Sequence, residues 1–146
     1  MSPLDRITER VSRLGDPEQP GTPRPLLTID EFFEGNSTVG SIGCNLSVGG
    51  NLEVIPSPEM FYSLFQRFAQ RAEVKDIRVQ ITTFDDPNWP FSDTVYIMTT
   101  ASPEEVASWF PEDLTPNETW VGFLDREVYE PYTVPAGVQP VACWWD

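Results

Sequence analysis

The sequence predicts an α+β fold: a single domain with a mainly antiparallel sheet and two or three helices packed on one face. Three observations carry this. Two segments open with serine, proline and glutamate, Ser57-Pro58-Glu59 and Ser102-Pro103-Glu104. That order is an N-cap, a proline at the first helical position and a first-turn acid. Residues 76–83 alternate Ile77, Val79 and Ile81 with Arg78, Gln80 and Thr82, the period of a strand with one wet face. A second strand pattern at residues 93–100 follows it through an eight-residue-class loop, roughly the length of an antiparallel connection, with no helix between.

The elements follow in order. Leu4, Ile7, Val11 and Leu14 recur at helical spacing, so residues 1–14 read as a short amphipathic helix. A Pro/Gly-rich linker from Gly15 to Pro25 follows. Residues 1–26 are therefore set apart from an acidic α+β domain at 27–146. An isolated helix of this length is marginal in water, so it is expected to dock on its own domain, or on a second copy as a dimer contact. Because the segment is charge-balanced, residues 1–25 are expected to add little to core stability. Thr28 to Glu31 is a capping box for a short helix that stops at Gly35-Asn36. Ser41 to Val48 and the residues from Leu52 read as two strands around a Gly49-Gly50-Asn51 turn. Phe61, Leu64, Phe65, Phe68 and Ala72 form one apolar stripe, so a helix is expected from Pro58 to Ala72. The Ser102 helix carries Val106, Ala107, Trp109 and Phe110 and ends at Pro111. Residues 111–137 are loop-rich, with a short strand at 119–124. Residues 138–145 form the last strand, where Pro140 indicates a sheet edge or a strand's opening residue.

The charge is strongly one-sided. There are 23 acidic residues, 9 basic residues and no histidine, a net −14. Residues 1–26 hold four acids and four arginines, so the whole excess belongs to residues 27–146. Between Arg78 and Arg126 there is no cation, while nine carboxylates fall in that run. Such a field repels nucleic acid and anionic membrane and attracts basic partners. Hydrophobic content of 40% and aromatic content of 12% place the chain among folded globules and not acidic tails. Cys44 and Cys143 are too far apart for a CxxC pair and are expected to be free thiols. The N-terminus has no apolar signal region and no 18-residue apolar run exists, so a cytoplasmic location is expected.

Without histidine the chain lacks the commonest general base, the usual nucleophile pairs and most zinc sites. The only lysine, Lys75, is on no glycine-rich loop, so no phosphate-binding loop is expected. No catalytic residue, cofactor site or metal site is assigned. Asp85, Asp86 and Asn88 lack the glycine and distal glutamate of a calcium loop. Asp85, Asp86 and Asp93 flank Trp89, a mixture of acid and aromatic that suits sugars. A solvated loop with a buried tryptophan anchor, and Asp93 at a strand start, explains it better, because loops this acidic are ordinary in acidic proteins. Glu104 and Glu105 are first-turn acids that complement the helix dipole. Of Trp144 and Trp145, one is expected in the core and one at an interface.

These features favour binding over chemistry. The expected function is a non-enzymatic acidic binding protein that neutralises a basic protein partner, such as a toxin or nuclease, as an immunity or inhibitor protein would. The composition is similar to that of bacterial immunity and inhibitor proteins. The expected partner-binding residues are Asp85, Asp86, Trp89, Glu104, Glu105, Glu112, Asp113 and Trp145, with the six acids forming one continuous negative surface. The alternatives are a small regulatory or assembly domain and a carboxylate-based carbohydrate-active hydrolase.

Overall fold

The structure is a computed structural model that describes residues 1–43, 56–124 and 127–146. Its helices begin where a side chain caps free amides. Helix α1 (Pro3–Leu14) opens on a Ser2–Asp5 capping box, α2 (Ile29–Phe33) on Thr28–Glu31, and α3 (Pro58–Ala69) on Ser57. Helix α4 (Pro103–Ser108) opens on a Ser102–Glu105 capping box. Helix α3 ends three residues before the expected Ala72, and the chain turns into β2 (Val74–Gln80).

Five strands form one antiparallel sheet: β1 (Leu26–Thr28), β2, β3 (Thr94–Thr99), β4 (Glu118–Val121) and β5 (Gln139–Trp144), in the order β1-β2-β3-β5-β4. The fold is α+β as expected, with four α-helices among the described residues. Strand β1 was not foreseen. Three residues behind Pro25 are too short for a period to show, and pairing with β2 makes them a strand. The expectation of an edge at Pro140 is corrected, because β5 lies inside the sheet. Pro140 stands one residue beyond the last β4 partner, where Val121 pairs Val141. A missing N–H is tolerated at such a strand opening. The expected strands and turn between Cys44 and Ile55 lie outside the described residues, as does Cys44 itself.

One sheet face carries the main core. Ile77, Val79, Val95, Ile97, Val141 and Cys143 meet Phe32, Phe33, Phe61, Phe65, Phe68 and Val106 from the helices. Cys143 is a free, fully buried thiol, and burial pushes its pKa up. Gly43 comes so close to Trp145 and Asp93 that an added Cβ would stand 3.0 Å from the Trp145 Cβ. Only glycine permits that approach.

Residues 1–26 are not separate from this core. Ile7 is 3% exposed, with Leu4 and Val11 packed beside it. Arg10 binds Glu31 (3.0 Å), Glu130 and the Leu26 carbonyl (3.3 Å). In the linker, the Arg24 amide donates to Val128 O (2.8 Å), and Arg24 O accepts from the Glu130 amide (3.0 Å). Docking on the chain's own domain is what the marginal stability of a lone helix requires. Residues 1–25 thus share the main core through Ile7, Leu4 and Val11, and whether they add to its stability is a matter for measurement.

The wet sheet face is corrected too. Leu26, Tyr96, Met98, Val138 and Ala142 form a second cluster, covered by Phe123, Tyr129, Tyr132 and Val134. All six residues of β3 are buried. The polar half of the β2 alternation is absorbed within the cover: Arg78 binds Asp76 (2.9 Å) and lies 4.9 Å from the Tyr132 ring. Among the described residues no helix is long and apolar enough to cross a membrane.

Candidate functional site

The expected partner-binding residues divide sharply. Asp85, Asp86, Glu104, Glu105, Glu112 and Asp113 are all exposed. They do not form one patch. Asp85 lies beside α1, bordering a cleft with Thr8, Val11 and Ser12. The α4 N-terminus is tied to β4, where Thr119 Oγ1 donates to Pro103 O (3.1 Å). Strand β4 and the β1 side, where α1 docks, are opposite edges of the sheet, four strand spacings or about 19 Å apart. Glu112 and Asp113 sit on a 3-10 turn held by Trp145 Nε1 donating to Leu114 O (3.0 Å). Several of these acids have local tasks. Glu105 completes its capping box, and Asp86 accepts from the Asn88 amide (2.8 Å). The neighbouring Asp85 carboxyl raises the Glu18 pKa.

Trp89 and Trp145 are corrected as partner anchors. Trp89 is 4% exposed and Trp145 1%. Each indole N–H is spent inside the protein, Trp89 Nε1 on Phe32 O (2.9 Å) and Trp145 Nε1 on Leu114 O. A buried indole needs such a partner. Parity decides between the last two tryptophans. Val141 and Cys143 point to the helix side, Trp145 shares their parity, and Trp144 does not.

Trp144 instead lines a cleft that sequence reasoning missed. On the second sheet face, the cover of Phe123, Tyr129, Tyr132 and Val134 stops short of the end where Thr94, Trp144 and Glu118 lie in register. The opening encloses about 480 Å³. Its walls are Trp120 of β4 and Trp144 of β5, both half-buried, and its carboxylates are Asp93, Glu118 and Glu127. Among the described residues Arg24 is the one cation lining it. That guanidinium is engaged by Glu127 (2.5 Å), Ile81 O (3.2 Å) and Thr82 O.

A directed hydrogen-bond chain runs beneath the cleft and ends on Asp93. The Leu124 amide donates to the Tyr96 hydroxyl (3.3 Å). The Tyr129 hydroxyl donates to Gln80 Oε1 (2.5 Å), so its oxygen accepts from Tyr96 (2.7 Å). Gln80 Nε2 donates to Thr82 Oγ1 (3.0 Å), which donates to Asp93 Oδ1 (2.8 Å). Thr94 Oγ1 donates to the same oxygen (2.8 Å). A hydroxyl has one proton to give, so each link fixes the direction of the next. Burial raises the pKa of both Tyr96 and Tyr129, which keeps the phenols in their donor form. Among the described residues no buried side-chain polar atom lacks a partner. Asp93 Oδ2 accepts no hydrogen bond from the described residues. The sequence did hold a signal for this site. Gln80 and Thr82 on one strand parity, and Trp120 beside Glu118, mark a polar sheet face with aromatic walls. What could not be read was the cover that closes half of it.

No solved structure matches the chain. It matches the family described as "Uncharacterized protein YfbO family" over residues 2–143. A protein of Escherichia coli (strain K12), "Uncharacterized protein YfbO", is 47% identical over 148 residues, covering 100% of this chain and 100% of that protein. The family match takes in the docked α1 and the cover, the Escherichia coli relative spans the whole chain, and the chain belongs to the YfbO family.

Proposed function

We propose that the protein is a non-enzymatic binding protein that captures a basic protein partner by charge-steered association, with an immunity or inhibitor role against a basic toxin or nuclease as its specific form. The supporting observation is how the charges are spent. Arg10, Arg24, Arg71 and Arg78 are tied into intramolecular ion pairs with Glu31, Glu130, Glu127, Glu73 and Asp76. Asp85, Asp86, Glu104, Glu105, Glu112 and Asp113 are exposed and take part in none of those pairs. Carboxylates outnumber the cations left outside those pairs, such as Arg6, Arg13, Arg67 and Lys75, so the outer field is negative; such a field raises encounter rates with cations by roughly 10- to 1,000-fold. A second reading, a carboxylate-based hydrolase or binder of carbohydrate, is favoured by the three carboxylates beside Trp120 and Trp144. The response of the cleft to a sugar decides it below.

The test is stopped-flow association with the basic protein that the immobilised chain retains from cell extract. Rates are compared at ionic strengths of about 0.01 M and 0.15 M, where the Debye length is about 30 Å and 8 Å. Association is expected to slow by about tenfold or more while dissociation changes little. The Asp85→Lys, Asp86→Lys double variant should imitate high salt. Equal association rates at both salt concentrations would refute charge steering.

A further inference from the structure

We propose that the cleft between Trp120, Trp144 and Asp93 is a receptor for a guanidinium group, supplied by an arginine side chain of the basic partner; this rests on the partner reading above and gives it a contact point. Three features specify that chemistry. The first is the pair of indoles. Trp120 opposes Ala142 across β4 and β5, and Trp144 is two residues further on the same face. They are diagonal neighbours, about 7–8 Å apart at the backbone. That separation accommodates one planar group with a contact of about 3.5–4 Å to each ring. Indole faces attract cations, and guanidinium stacks on them as ammonium cannot.

The second is Asp93. Its Oδ1 is fixed by Thr82 and Thr94, and its Oδ2 accepts no hydrogen bond from the described residues. A carboxylate whose one oxygen is anchored by neutral hydroxyls keeps its charge for a charge-assisted bond to a donor fork. The third is the local charge. Among the described residues lining the cleft, Asp93, Glu118 and Glu127 face one guanidinium, Arg24, which is already engaged. A cation relieves that imbalance, a neutral sugar does not, and an anion is repelled. A polypeptide source fits the position. Strand β4 is the last strand of the sheet, so the cleft opens beside backbone that a partner's main chain can reach.

The test follows the indole N–H resonances of the full chain by NMR. N-acetyl-arginine methylamide is titrated in parallel with its neutral citrulline isostere, agmatine and methyl β-glucoside. Arginine methylamide should shift the Trp120 and Trp144 indoles and leave Trp89 and Trp145, whose N–H groups are bonded inside the core. Asp93→Asn keeps an oxygen for both threonines and should weaken binding by about tenfold or more. Should that variant fail to fold, Glu118→Gln at the exposed rim should weaken binding by about threefold. Citrulline binding as well as arginine, or silent indoles throughout, would overturn the proposal. A glucoside response without an arginine response would overturn it in favour of carbohydrate. Agmatine binding with arginine methylamide excluded would overturn the polypeptide source. Salt-steered association with silent indoles sinks the cleft alone, whereas salt-independent association beside an intact arginine response sinks the partner reading alone.

Discussion

Ile7 is the sharpest test of whether the N-terminal helix belongs to the folding unit. Its side chain is 3% exposed and reaches the main core. Ile7→Ala removes three carbons, worth about 2.4 kcal/mol at roughly 0.8 kcal/mol per buried methylene. The cavity left behind adds to this where neighbours cannot relax. Here they can, because Ile7 borders an existing cleft of about 210 Å³ between α1 and α2. The expected loss is therefore near the lower end of the range for such substitutions, about 2–3 kcal/mol. For a domain of this size that lowers Tm by roughly 5–10 °C. The assay is a thermal melt followed by far-UV circular dichroism, with Ser12→Ala on the exposed side of α1 as the control. The control should move Tm by about 1 °C or less. If Ile7→Ala also leaves Tm within about 1 °C, α1 is not part of the cooperative unit and the docking argument fails.

Two further outcomes follow from the buried hydroxyls and indoles. Stability should hold to about pH 9 and then fall, because Tyr62, Tyr96, Tyr129, Tyr132 and Cys143 all have pKa values raised on folding. Tyr62 is pushed up to about 12 by its hydrogen bond to Asp30, and the others rise chiefly through burial. A raised pKa contributes stability that is complete below the ordinary values, 9.0 for the thiol and 10.0 for the phenols, and is lost as pH climbs towards the folded values. A Tm unchanged up to about pH 11 would contradict this. Trp89→Phe should cost about 1–3 kcal/mol for the orphaned Phe32 carbonyl, plus the lost ring volume. It should leave partner association rates unchanged, since the indole is internal, and a slower association would restore Trp89 as an anchor.

Much of the local structure was legible in the sequence. Ser57-Pro58 and Ser102-Pro103 start α3 and α4, because an N-cap oxygen and a fixed proline φ act within one turn. The alternation of Ile77, Val79 and Ile81 marked the core side, Ile77 and Val79 on β2 and Ile81 just past its end, and the Leu4–Ile7–Val11 spacing marked α1. These signals are local, and tertiary contacts did not overturn them. The charge imbalance is likewise a property of composition.

The tertiary structure decided everything that depends on what lies opposite. Gln80 and Arg78 look solvated in a strand period, yet Tyr129 and Tyr132 arrive from about 50 residues away to cover them. Trp145 and Trp144 are equivalent as letters. Pairing of Val141 and Cys143 with β3 sends one to the core and the other to the cleft. The cleft itself joins residues from the linker, β3, β4, β5 and the cover. A hydrogen-bond chain that closes between Thr82 and Asp93, or between Tyr129 and Gln80, leaves no mark on spacing. Its members are polar residues that sequence reasoning assigns to water, and only the fold takes the water away.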